Sequence, residues 1–332
     1  MKKEVLLNMI VKSRDPLLEL YQYEALIRRL PQYHKMKEKI QADYKKKRRA
    51  LRGEKEVEFP LKFLEEQDYL ILHNLRIEDN NGFFQIDTLV INERYILILE
   101  IKNWYGTILF GENGQVTRVG DDGREEGFPN PIPQAKLQKH RLQKWLNKQV
   151  QLEIPLHFFV VISFPSTIIR STSPKYPIPK EVIHNSNLAF EIEKLKDVYT
   201  IQKAKMNVLI KCSKQLIKAH TPISEKLLGK YNVSVDELLK GVYCSNCSSL
   251  PMTKIHGKWL CERCNYRSAD SYIESLKDYQ LLIGNYISNQ ETRDFLKLDS
   301  PYVTKNLLQQ GNFKRIGNTR AQKYELNFEW LE

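Results

Sequence analysis

Residues 95–102 read Tyr-Ile-Leu-Ile-Leu-Glu-Ile-Lys, an apolar run that ends in two charged side chains. An unbroken apolar run of this length is typical of a strand that is covered on both faces. Because side chains alternate along a strand, Glu100 and Lys102 lie on one face, about 7 Å apart. Burial of these charges is costly unless other groups compensate them. The stretch therefore predicts a polar site at the end of a buried strand.

The preceding apolar run, residues 83–91, carries Asp87. If the two strands form a hairpin with a two-residue loop at 93–94, Asp87 falls opposite Glu100, with Cβ atoms roughly 4.5–5.5 Å apart. Two carboxylates at that distance repel each other, and Mg²⁺, which takes one or two carboxylates, removes the repulsion. A nearby lysine can orient water and stabilise developing negative charge. The alternative is a buried ion pair between Lys102 and either Asp87 or Glu100. This pair would leave the other carboxylate without a cation.

Helical and extended patterns alternate around this hairpin. Pro131 follows the capping residue Asn130, which is a typical start of a helix. Further strands are expected at 69–75, 107–110 and 157–164, and helices at 17–50, 54–66, 131–149 and 191–240. This order predicts an α/β fold with a mixed central sheet.

Asp87, followed after twelve residues by Glu100-Ile101-Lys102, has the form of the PD-(D/E)xK nuclease superfamily signature. More narrowly, residues 51–165 resemble the NERD (nuclease-related) domain. The other elements that carry the resemblance are Gly53-Glu54, Gln85-Ile86, Asn103, Gly106, Asn130-Pro131 and Gln134, in that order.

The resemblance implies a domain with a restriction-endonuclease-like mixed sheet flanked by helices. It implies that this domain hydrolyses phosphodiester bonds. It implies that Asp87 and Glu100 hold Mg²⁺ (or Mn²⁺) and that Lys102 assists the attacking water. Glu54 would be an auxiliary acidic residue, with Glu58 as a substitute, and Gln134 would reach in from the second helix. The alternative for Glu54 is an ordinary carboxylate at a helix start, where the helix dipole favours negative charge. The alternative for Gln134 is an amide in contact with solvent.

One residue departs from the wider recombination-nuclease branch. Gln138 stands four places after Gln134, where that branch often has tyrosine. The sequence therefore departs from that branch's model of DNA-end processing.

Four of the five cysteines form two close pairs. Cys244 and Cys247 are separated by thirteen residues from Cys261 and Cys264. Two CxxC turns offer four thiolates to one tetrahedral Zn²⁺, which predicts a structural zinc ribbon. The alternatives are a redox dithiol pair and an iron–sulfur cluster. Cys212 stands alone and is expected to be a spectator.

Residues 270–332 are typical of a winged helix-turn-helix, with helices at 272–283, 290–298 and 301–310 and a hairpin wing. The third helix would bury Val303, Leu307 and Leu308. The predicted nucleic-acid contacts are Lys305, Asn306 and Gln309 of that helix and Arg315 and Arg320 of the wing. The alternative is a small packing module without a DNA contact.

The sequence thus predicts five regions: a basic helical N-terminal segment (1–50), a NERD nuclease-like domain (51–165), a linker and helical segment (166–243), a four-cysteine zinc ribbon (244–267) and a winged-helix-like nucleic-acid-binding unit (270–332).

The charge balance favours a polyanionic partner. There are 52 Lys+Arg against 40 Asp+Glu, a net charge of +12. This charge favours nucleic acid over an anionic membrane surface as the partner, and DNA is the expected nucleic acid. No apolar run approaches the roughly 18–20 residues that span a bilayer, and residues 1–7 lack the features of a secretory signal. A cytoplasmic protein is expected. Because a GxxxxGK[ST] loop is absent, a helicase role would need a protein partner.

Three functions remain open. The first is a metal-dependent nuclease. The second is a catalytically inactive nucleic-acid-binding regulator that uses the same fold, the zinc ribbon and the winged helix. The third is an adaptor between proteins, for which the charge of +12 is less natural.

Overall fold

The structure is a computed structural model that describes residues 9–14, 18–111, 114–120, 122–222, 226–318, 322–328 and 330. The chain divides into two compact units. Unit 1 comprises residues 1–15 and 48–223, and unit 2 comprises residues 16–47 and 224–332. The five predicted region boundaries stay predictions.

The helices in chain order are α1 (Leu18–Arg29), α2 (Lys37–Glu56), α3 (Glu58–Leu61), α4 (Pro131–Gln149), α5 (Leu188–Val198), α6 (Met206–Ala219), α7 (Leu227–Lys230), α8 (Ser271–Leu282), α9 (Asn289–Leu296) and α10 (Pro301–Gln310). Among the described residues, no helix has the length and apolar character needed to cross a membrane.

The strands are β1 (Ile10–Lys12), β2 (Leu70–Asp79), β3 (Gly82–Ile91), β4 (Ile96–Lys102), β5 (Thr107–Phe110), β6 (Val116–Val119), β7 (Glu125–Phe128), β8 (Leu156–Ile162), β9 (Ile168–Ser171), β10 (Val182–His184), β11 (Thr253–Ile255), β12 (Lys258–Leu260), β13 (Arg267–Ser268), β14 (Tyr286–Ile287), β15 (Lys314–Ile316) and β16 (Lys323–Glu325). Mixed sheets and flanking helices confirm the predicted α/β class.

Unit 1 is built on a six-stranded sheet in the order β1-β2-β3-β4-β8-β10. The β2–β3 and β3–β4 pairs are antiparallel, whereas β1–β2, β4–β8 and β8–β10 are parallel. Apolar side chains of α4 and α6 cover one face of this sheet. Residues at and around α3, together with α5, cover the other face. A second sheet, in the order β7-β6-β5-β9, completes the unit.

The hairpin between β3 and β4 has the predicted register. Ile91 pairs with Ile96 and Thr88 with Leu99, and the backbone N–H of Asn92 donates to the carbonyl of Tyr95 at 3.0 Å. The loop is therefore the two-residue 93–94 connection. Continued by one step, this register puts Asp87 opposite Glu100.

Four local expectations need correction. The helices expected over 17–50 and 191–240 are each divided, the first into α1 and α2 and the second into α5, α6 and α7. The helix expected over 54–66 is interrupted, because α2 ends at Glu56 and α3 spans only Glu58–Leu61, with Pro60 inside it. Proline lacks the N–H that a continuous helix would use. The first part of the segment 166–243, expected to be a linker, contributes β9 and β10 to the two sheets. Because these strands are short, their sequence gives little periodic signal.

Unit 2 joins the first helix of the chain to its C-terminal part. The buried guanidinium of Arg29 on α1 donates from Nε to Asp278 Oδ2 on α8 at 2.8 Å. The adjacent Arg28 donates from Nη2 to Asp278 Oδ1 at 2.6 Å. Two arginines therefore compensate one buried carboxylate. Unit 2 also holds two three-stranded sheets, β11-β12-β13 and β14-β16-β15.

The C-terminal segment contains α8, α9 and α10 with the β14-β16-β15 sheet; its interpretation as a winged helix stays a prediction. Ser300 caps α10 by accepting from the N–H of Val303 at 3.3 Å. The prediction that Val303 is buried is wrong, since its side chain is exposed. The buried stripe of α10 instead runs through Thr304, Leu307 and Leu308.

Candidate active site

The buried carboxylate of Glu100 is the centre of a polar cluster on the α4 side of the large sheet. Its side chain is only 2 % exposed. Lys102 Nζ donates to Glu100 Oε1 at 2.5 Å and to Gln134 Oε1 at 3.1 Å. Gln138 Nε2 donates to Glu100 Oε2 at 2.7 Å. Both oxygens of the buried carboxylate are therefore hydrogen-bonded, and the strand period that predicted one face for Glu100 and Lys102 is observed.

Helix α4 supplies the two amides of this cluster. It begins at Pro131, as predicted, and Asn130 Oδ1 accepts from the N–H of Ile132 at 2.9 Å. Gln134 and Gln138 are four residues apart and therefore lie on the same side of the helix. Gln134 is exposed, whereas Gln138 is buried. The sequence assigned Gln134 to the site but did not assign Gln138.

Asp87 lies at the end of the paired part of the β3–β4 hairpin. Its Oδ2 accepts from the backbone N–H of Ile101 at 2.9 Å. Burial raises the pKa of the Asp87 carboxyl well above its usual value, and the charges of Glu100 and Glu54 raise it further. The Ile101 hydrogen bond and the charge of Lys102 oppose this rise. The cluster thus holds more negative charge than its cations compensate.

The β2 strand is irregular directly opposite Asp87. His73 pairs with Thr88 and Leu75 with Ile86, so that Asn74 stands opposite Asp87 in this register. Asn74 has φ of 48°, in the left-handed region that asparagine tolerates better than most residues. Its side-chain Nδ2 donates to Glu54 Oε2 at 2.9 Å. The distortion of β2 therefore turns an amide toward the acidic residue of α2.

Glu54 is held by an arginine that lies forty residues earlier in the chain. Arg14 Nη1 donates to Glu54 Oε2 at 3.0 Å, and Arg14 Nε donates to Glu58 Oε1 at 2.8 Å. Its Nη2 also donates to the backbone carbonyl of Glu54 at 2.6 Å. The side chain of Arg14 is 8 % exposed. One buried guanidinium thus bridges Glu54 and the predicted substitute Glu58, a partner that the sequence did not reveal.

Gly53 allows the end of α2 to approach the end of β4. A Cβ atom at this position would lie 2.5 Å from Asn103 Cβ and 2.8 Å from Ser163 Oγ. The side chain of Asn103 donates from Nδ2 to the carbonyl of Arg49 on the same helix. The Gly53-Glu54 pair therefore has a physical basis, because only glycine fits where the helix brings Glu54 to the sheet.

A buried histidine lies beside the cluster. His73 Nδ1 is 2.9 Å from Thr88 Oγ1, and His73 Nε2 is buried without a hydrogen-bond partner among the described residues. Burial lowers the pKa of His73 to about 3, with a further contribution from the charges of Arg14 and Lys12. The imidazole is therefore neutral at physiological pH.

The donor atoms of the acidic cluster suit a hard divalent cation. Asp87 and Glu100 offer carboxylate oxygens, the ligands that Mg²⁺ takes together with waters and phosphate oxygens. A cation bound between these groups would neutralise the negative charges of Glu100 and Glu54 that raise the pKa of Asp87. Glu54 Oε2, in contrast, already accepts from both Arg14 and Asn74.

The four cysteines of unit 2 form a compact cluster. Their sulfur atoms all lie within 4.8 Å of one another, the one group of three or more metal-ligating side chains found among the described residues. The Sγ–Sγ distances are 3.6 Å between Cys244 and Cys264 and 3.5 Å between Cys247 and Cys261. With Zn–S bonds of about 2.3 Å, tetrahedral geometry needs sulfurs less than about 4 Å apart. The cluster is therefore compatible with structural zinc.

The remaining cysteine is inert. Cys212 is buried in α6, and burial raises the pKa of its thiol to about 12. This environment suits the spectator role expected for it.

The predicted nucleic-acid contacts lie in unit 2, whereas the carboxylates lie in unit 1. Lys305 and Gln309 are exposed on α10, and Asn306 is half-buried there. Arg315 is exposed on β15. Arg320 lies outside the described residues. Their role in binding stays a prediction.

Comparison with known proteins identifies the segment that carries the acidic cluster. Searches found no match among curated proteins and no match among solved structures. Residues 49–163 match the family model of the nuclease-related domain, NERD. This segment includes Glu54, Asp87, Glu100, Lys102 and Gln134, and it is accordingly a nuclease-related domain.

Proposed function

We propose that the protein is a metal-dependent nuclease that hydrolyses phosphodiester bonds of nucleic acid, with DNA as the expected substrate. The observation that carries this proposal is the position of Lys102, whose ammonium lies 2.5 Å from Glu100 Oε1, in a cluster where the charges of Glu100 and Glu54 raise the pKa of Asp87. A structural ion pair would need one carboxylate, yet the site brings the carboxylates of Asp87, Glu100 and Glu54 together against the two cations of Lys102 and Arg14. The nuclease-related domain and the charge of +12 support the same function.

Each residue of the cluster has a chemical task in this proposal. Asp87 and Glu100 would hold Mg²⁺ or Mn²⁺, which activates bound water and neutralises charge on the scissile phosphate. Lys102 would orient the attacking water and stabilise the negative charge that develops on the phosphate. Gln134, whose Oε1 accepts from Lys102 at 3.1 Å, would fix the direction of the ammonium.

Glu54 would act as an auxiliary acid rather than as a principal ligand. Its Oε2 is engaged by Arg14 and Asn74, and its charge, together with that of Glu100, raises the pKa of Asp87.

A second candidate is a catalytically inactive regulator that binds nucleic acid through the same fold. Both oxygens of Glu100 have protein partners, Lys102 and Gln138. A network that satisfies its own carboxylate in this way favours the regulator. Cleavage distinguishes the two, because both candidates bind nucleic acid and only the nuclease cuts it.

We further propose that Cys244, Cys247, Cys261 and Cys264 hold one structural Zn²⁺, and that unit 2 contributes nucleic-acid contacts through α10 and β15. Elemental analysis should find one zinc per chain. Cys261→Ser should lower this content and loosen the cluster, whereas Cys212→Ser should leave the zinc content unchanged.

The experiment that tests the nuclease proposal is cleavage of supercoiled plasmid, linear duplex and single strands of DNA and RNA. Each substrate is incubated with Mg²⁺, with Mn²⁺ or with EDTA. The proposal expects cleavage with a divalent cation, none with EDTA, and none by Asp87→Ala. If the wild type binds these substrates but cuts none of them under any metal condition, the regulator replaces the nuclease.

A further inference from the structure

The two helices that cover the Glu100 side of the large sheet carry positive charge and no carboxylate. Helix α4 contains five Lys or Arg residues and α6 contains three Lys, and neither helix has an Asp or Glu residue. Helix α5, on the opposite face, has three acidic residues against two lysines. The two sides of the sheet therefore differ in charge, and the basic side is the one on which Glu100 and Lys102 meet α4.

The lysines of the two sides also differ in their partners. On α5, the ammonium of Lys194 pairs with the carboxylate of Glu191 at 2.7 Å. On α4, Lys144 and Lys148 are exposed, and they form no ion pair with any residue that the structure describes. The charge of these two lysines is therefore available to an anionic partner from outside the chain.

One flank of α4 connects these lysines to the acidic site. Gln134, which accepts from Lys102 at 3.1 Å, is followed at intervals of seven residues by Arg141 and Lys148. With 3.6 residues per turn, Lys148 lies within about 40° of Gln134 around the helix axis and about 21 Å along it, and Lys144 lies within about 80°. We call Arg141, Lys144 and Lys148 the basic stripe. It runs along α4 away from the acidic site.

The basic stripe lines a recess of about 520 Å³ between α4 and the turn that joins β2 to β3. Arg141 Nε donates to Asp79 Oδ2 at 2.7 Å, which holds the turn against the helix. The exposed carboxylate of Glu78 also lines the recess. Because Arg141 and Asp79 compensate each other, the two cations of Lys144 and Lys148 stand against one carboxylate, and the recess keeps a positive charge.

The shape and chemistry of the recess favour nucleic acid over an anionic membrane surface. A helix that lies on a membrane turns an apolar face toward the lipid beside its cations. The apolar face of α4 is instead buried in the core of unit 1, through Ala135, Leu142 and Leu146. The lysines also line a concave surface, which a rod-shaped polyanion can enter and a flat bilayer cannot.

We propose that the basic stripe binds the phosphate backbone of the nucleic acid whose scissile bond lies at the acidic site. The proposal rests on the proposed function, and it adds the path of the substrate, which follows α4 away from Gln134. Phosphates repeat about every 3.4 Å along each strand of a duplex, so a path of about 21 Å spans about six of them. A lysine ammonium meets a phosphate as a point charge, so this contact is independent of base sequence.

The test measures binding of a fluorescent DNA duplex of about 20 base pairs, which is longer than the stripe. The full-length protein carries Asp87→Ala and the buffer contains EDTA, so that no DNA is cut. Loss of one phosphate contact lowers the slope of log affinity against log salt concentration by about 0.9 in magnitude. Lys144→Gln and Lys148→Gln should each show this change and bind about fivefold to tenfold more weakly at about 0.1 M salt. The loss should be the same for two duplexes of unrelated sequence.

Lys136→Gln is the matched control. Lys136 is an exposed lysine of the same helix, but it points about 160° away from Gln134 around the helix axis. Its removal changes the net charge of the protein by the same amount as each stripe variant. Because salt screens exposed charges beyond about 10 Å, the control should keep the parent's salt slope and bind within about twofold of the parent.

Cleavage tests whether the DNA on the basic stripe is the DNA that reaches the acidic site. In Mg²⁺, with Asp87 intact, the double variant Lys144→Gln, Lys148→Gln should need a higher DNA concentration than the wild type for half-maximal cleavage. Weaker binding without this increase would overturn the proposed path, because the DNA held by the stripe would then not be the DNA that is cut.

Two further outcomes would overturn the basic stripe. The first is an unchanged salt slope in both stripe variants, or an equal loss of affinity in Lys136→Gln. The second is weaker binding of phosphatidylserine vesicles with DNA binding unchanged, which would assign the stripe to a membrane. Failure of the stripe is separable from failure of the nuclease. If the wild type cuts and the stripe variants bind normally, only the stripe is lost; if DNA binds through the stripe but the wild type never cuts, only the nuclease is lost.

Discussion

Gln138 and Glu100 are joined by a hydrogen bond of 2.7 Å between the amide Nε2 and the carboxylate Oε2, and both side chains are buried. The other carboxylate oxygen belongs to Lys102. Gln138 therefore completes the set of donors around the buried charge, from the position where the wider recombination-nuclease branch often has tyrosine.

Gln138→Leu should leave Glu100 Oε2 buried without its donor. Loss of a hydrogen bond to a buried charged group is expected to reduce the free energy of unfolding by about 1–3 kcal/mol. It should also lower the cleavage rate, because Glu100 would lose its fixed orientation. Gln143→Leu, on the same helix with an exposed bond to Asn147, should change neither quantity. Equal effects of the two substitutions in urea unfolding and in cleavage would contradict the role of Gln138.

Asp87→Asn should separate metal binding from folding. The pKa of the Asp87 carboxyl is raised in the folded state. Such a carboxyl destabilises the fold increasingly as the pH rises above the pKa that the group has in the unfolded chain. The asparagine variant should therefore be at least as stable as the wild type in EDTA at neutral pH, since its amide oxygen still accepts from Ile101. Mg²⁺ at about ten times its Kd should stabilise the wild type by about 1.4 kcal/mol.

Thermal unfolding with and without Mg²⁺ measures this difference. The stabilisation should vanish in Asp87→Asn and persist in Asp122→Asn, a change at an exposed carboxylate. A full Mg²⁺ response in Asp87→Asn would show that the cation binds elsewhere.

His73 should make the fold sensitive to acid. The unfolded chain takes up a proton near pH 6.5, whereas the pKa of about 3 keeps the folded imidazole neutral. The stability that His73 contributes is therefore present above pH 6.5 and is lost as the pH falls toward 3. Between pH 7.5 and 5 the loss is about 2 kcal/mol.

Urea unfolding at several pH values checks the His73 prediction. His73→Gln should remove about 2 kcal/mol of the difference between pH 7.5 and 5, while a substitution at the exposed His140 should leave it in place. Identical pH profiles for wild type and His73→Gln would show that the imidazole is not held neutral.

Gly53→Ala should displace the end of α2. The added methyl group would lie 2.5 Å from Asn103 Cβ, a distance that forces movement of the helix or the loop. Overpacking of this kind destabilises by about 1–3 kcal/mol, and cleavage should fall because Glu54 follows Gly53. Gly229→Ala, where a methyl group would meet nothing within 4 Å, should be neutral or slightly stabilising. A neutral Gly53→Ala in unfolding and cleavage would contradict the close packing.

The sequence predicted those parts of the fold that have a local signal. A two-residue loop at 93–94 between the two apolar runs was a hypothesis, and the register that this loop implies is the observed one. Helix α4 begins at Pro131 after the Asn130 cap, as the capping pattern indicates. The spacing of the cysteines predicted their cluster.

The parts that the sequence did not predict depend on contacts between distant residues. Arg14 reaches Glu54 across forty residues, from the chain just after β1, which pairs with β2 in parallel. A three-residue strand such as β1 has no periodic pattern that could place Arg14. The side chain of Asn74 meets Glu54 because the backbone adopts φ of 48°, and asparagine in a strand pattern does not by itself indicate that conformation. The position of Gln138 in the sequence pattern does not indicate its hydrogen bond to Glu100, which depends on the packing of α4 on β4.

The nuclease proposal is tested by the rate at which saturating protein cleaves a labelled oligonucleotide in Mg²⁺. Wild type, Glu100→Gln, Lys102→Met and the control Lys136→Met are purified identically, and near-native circular dichroism spectra establish that each is folded. Loss of a group that acts in the transition state lowers the rate by about 10²–10³-fold. We predict losses of at least this size for Glu100→Gln and Lys102→Met, with the wild-type rate kept in Lys136→Met. Rates within about threefold of wild type in all folded variants, far inside the loss expected for a catalytic group, would contradict the claim that this cluster cuts nucleic acid.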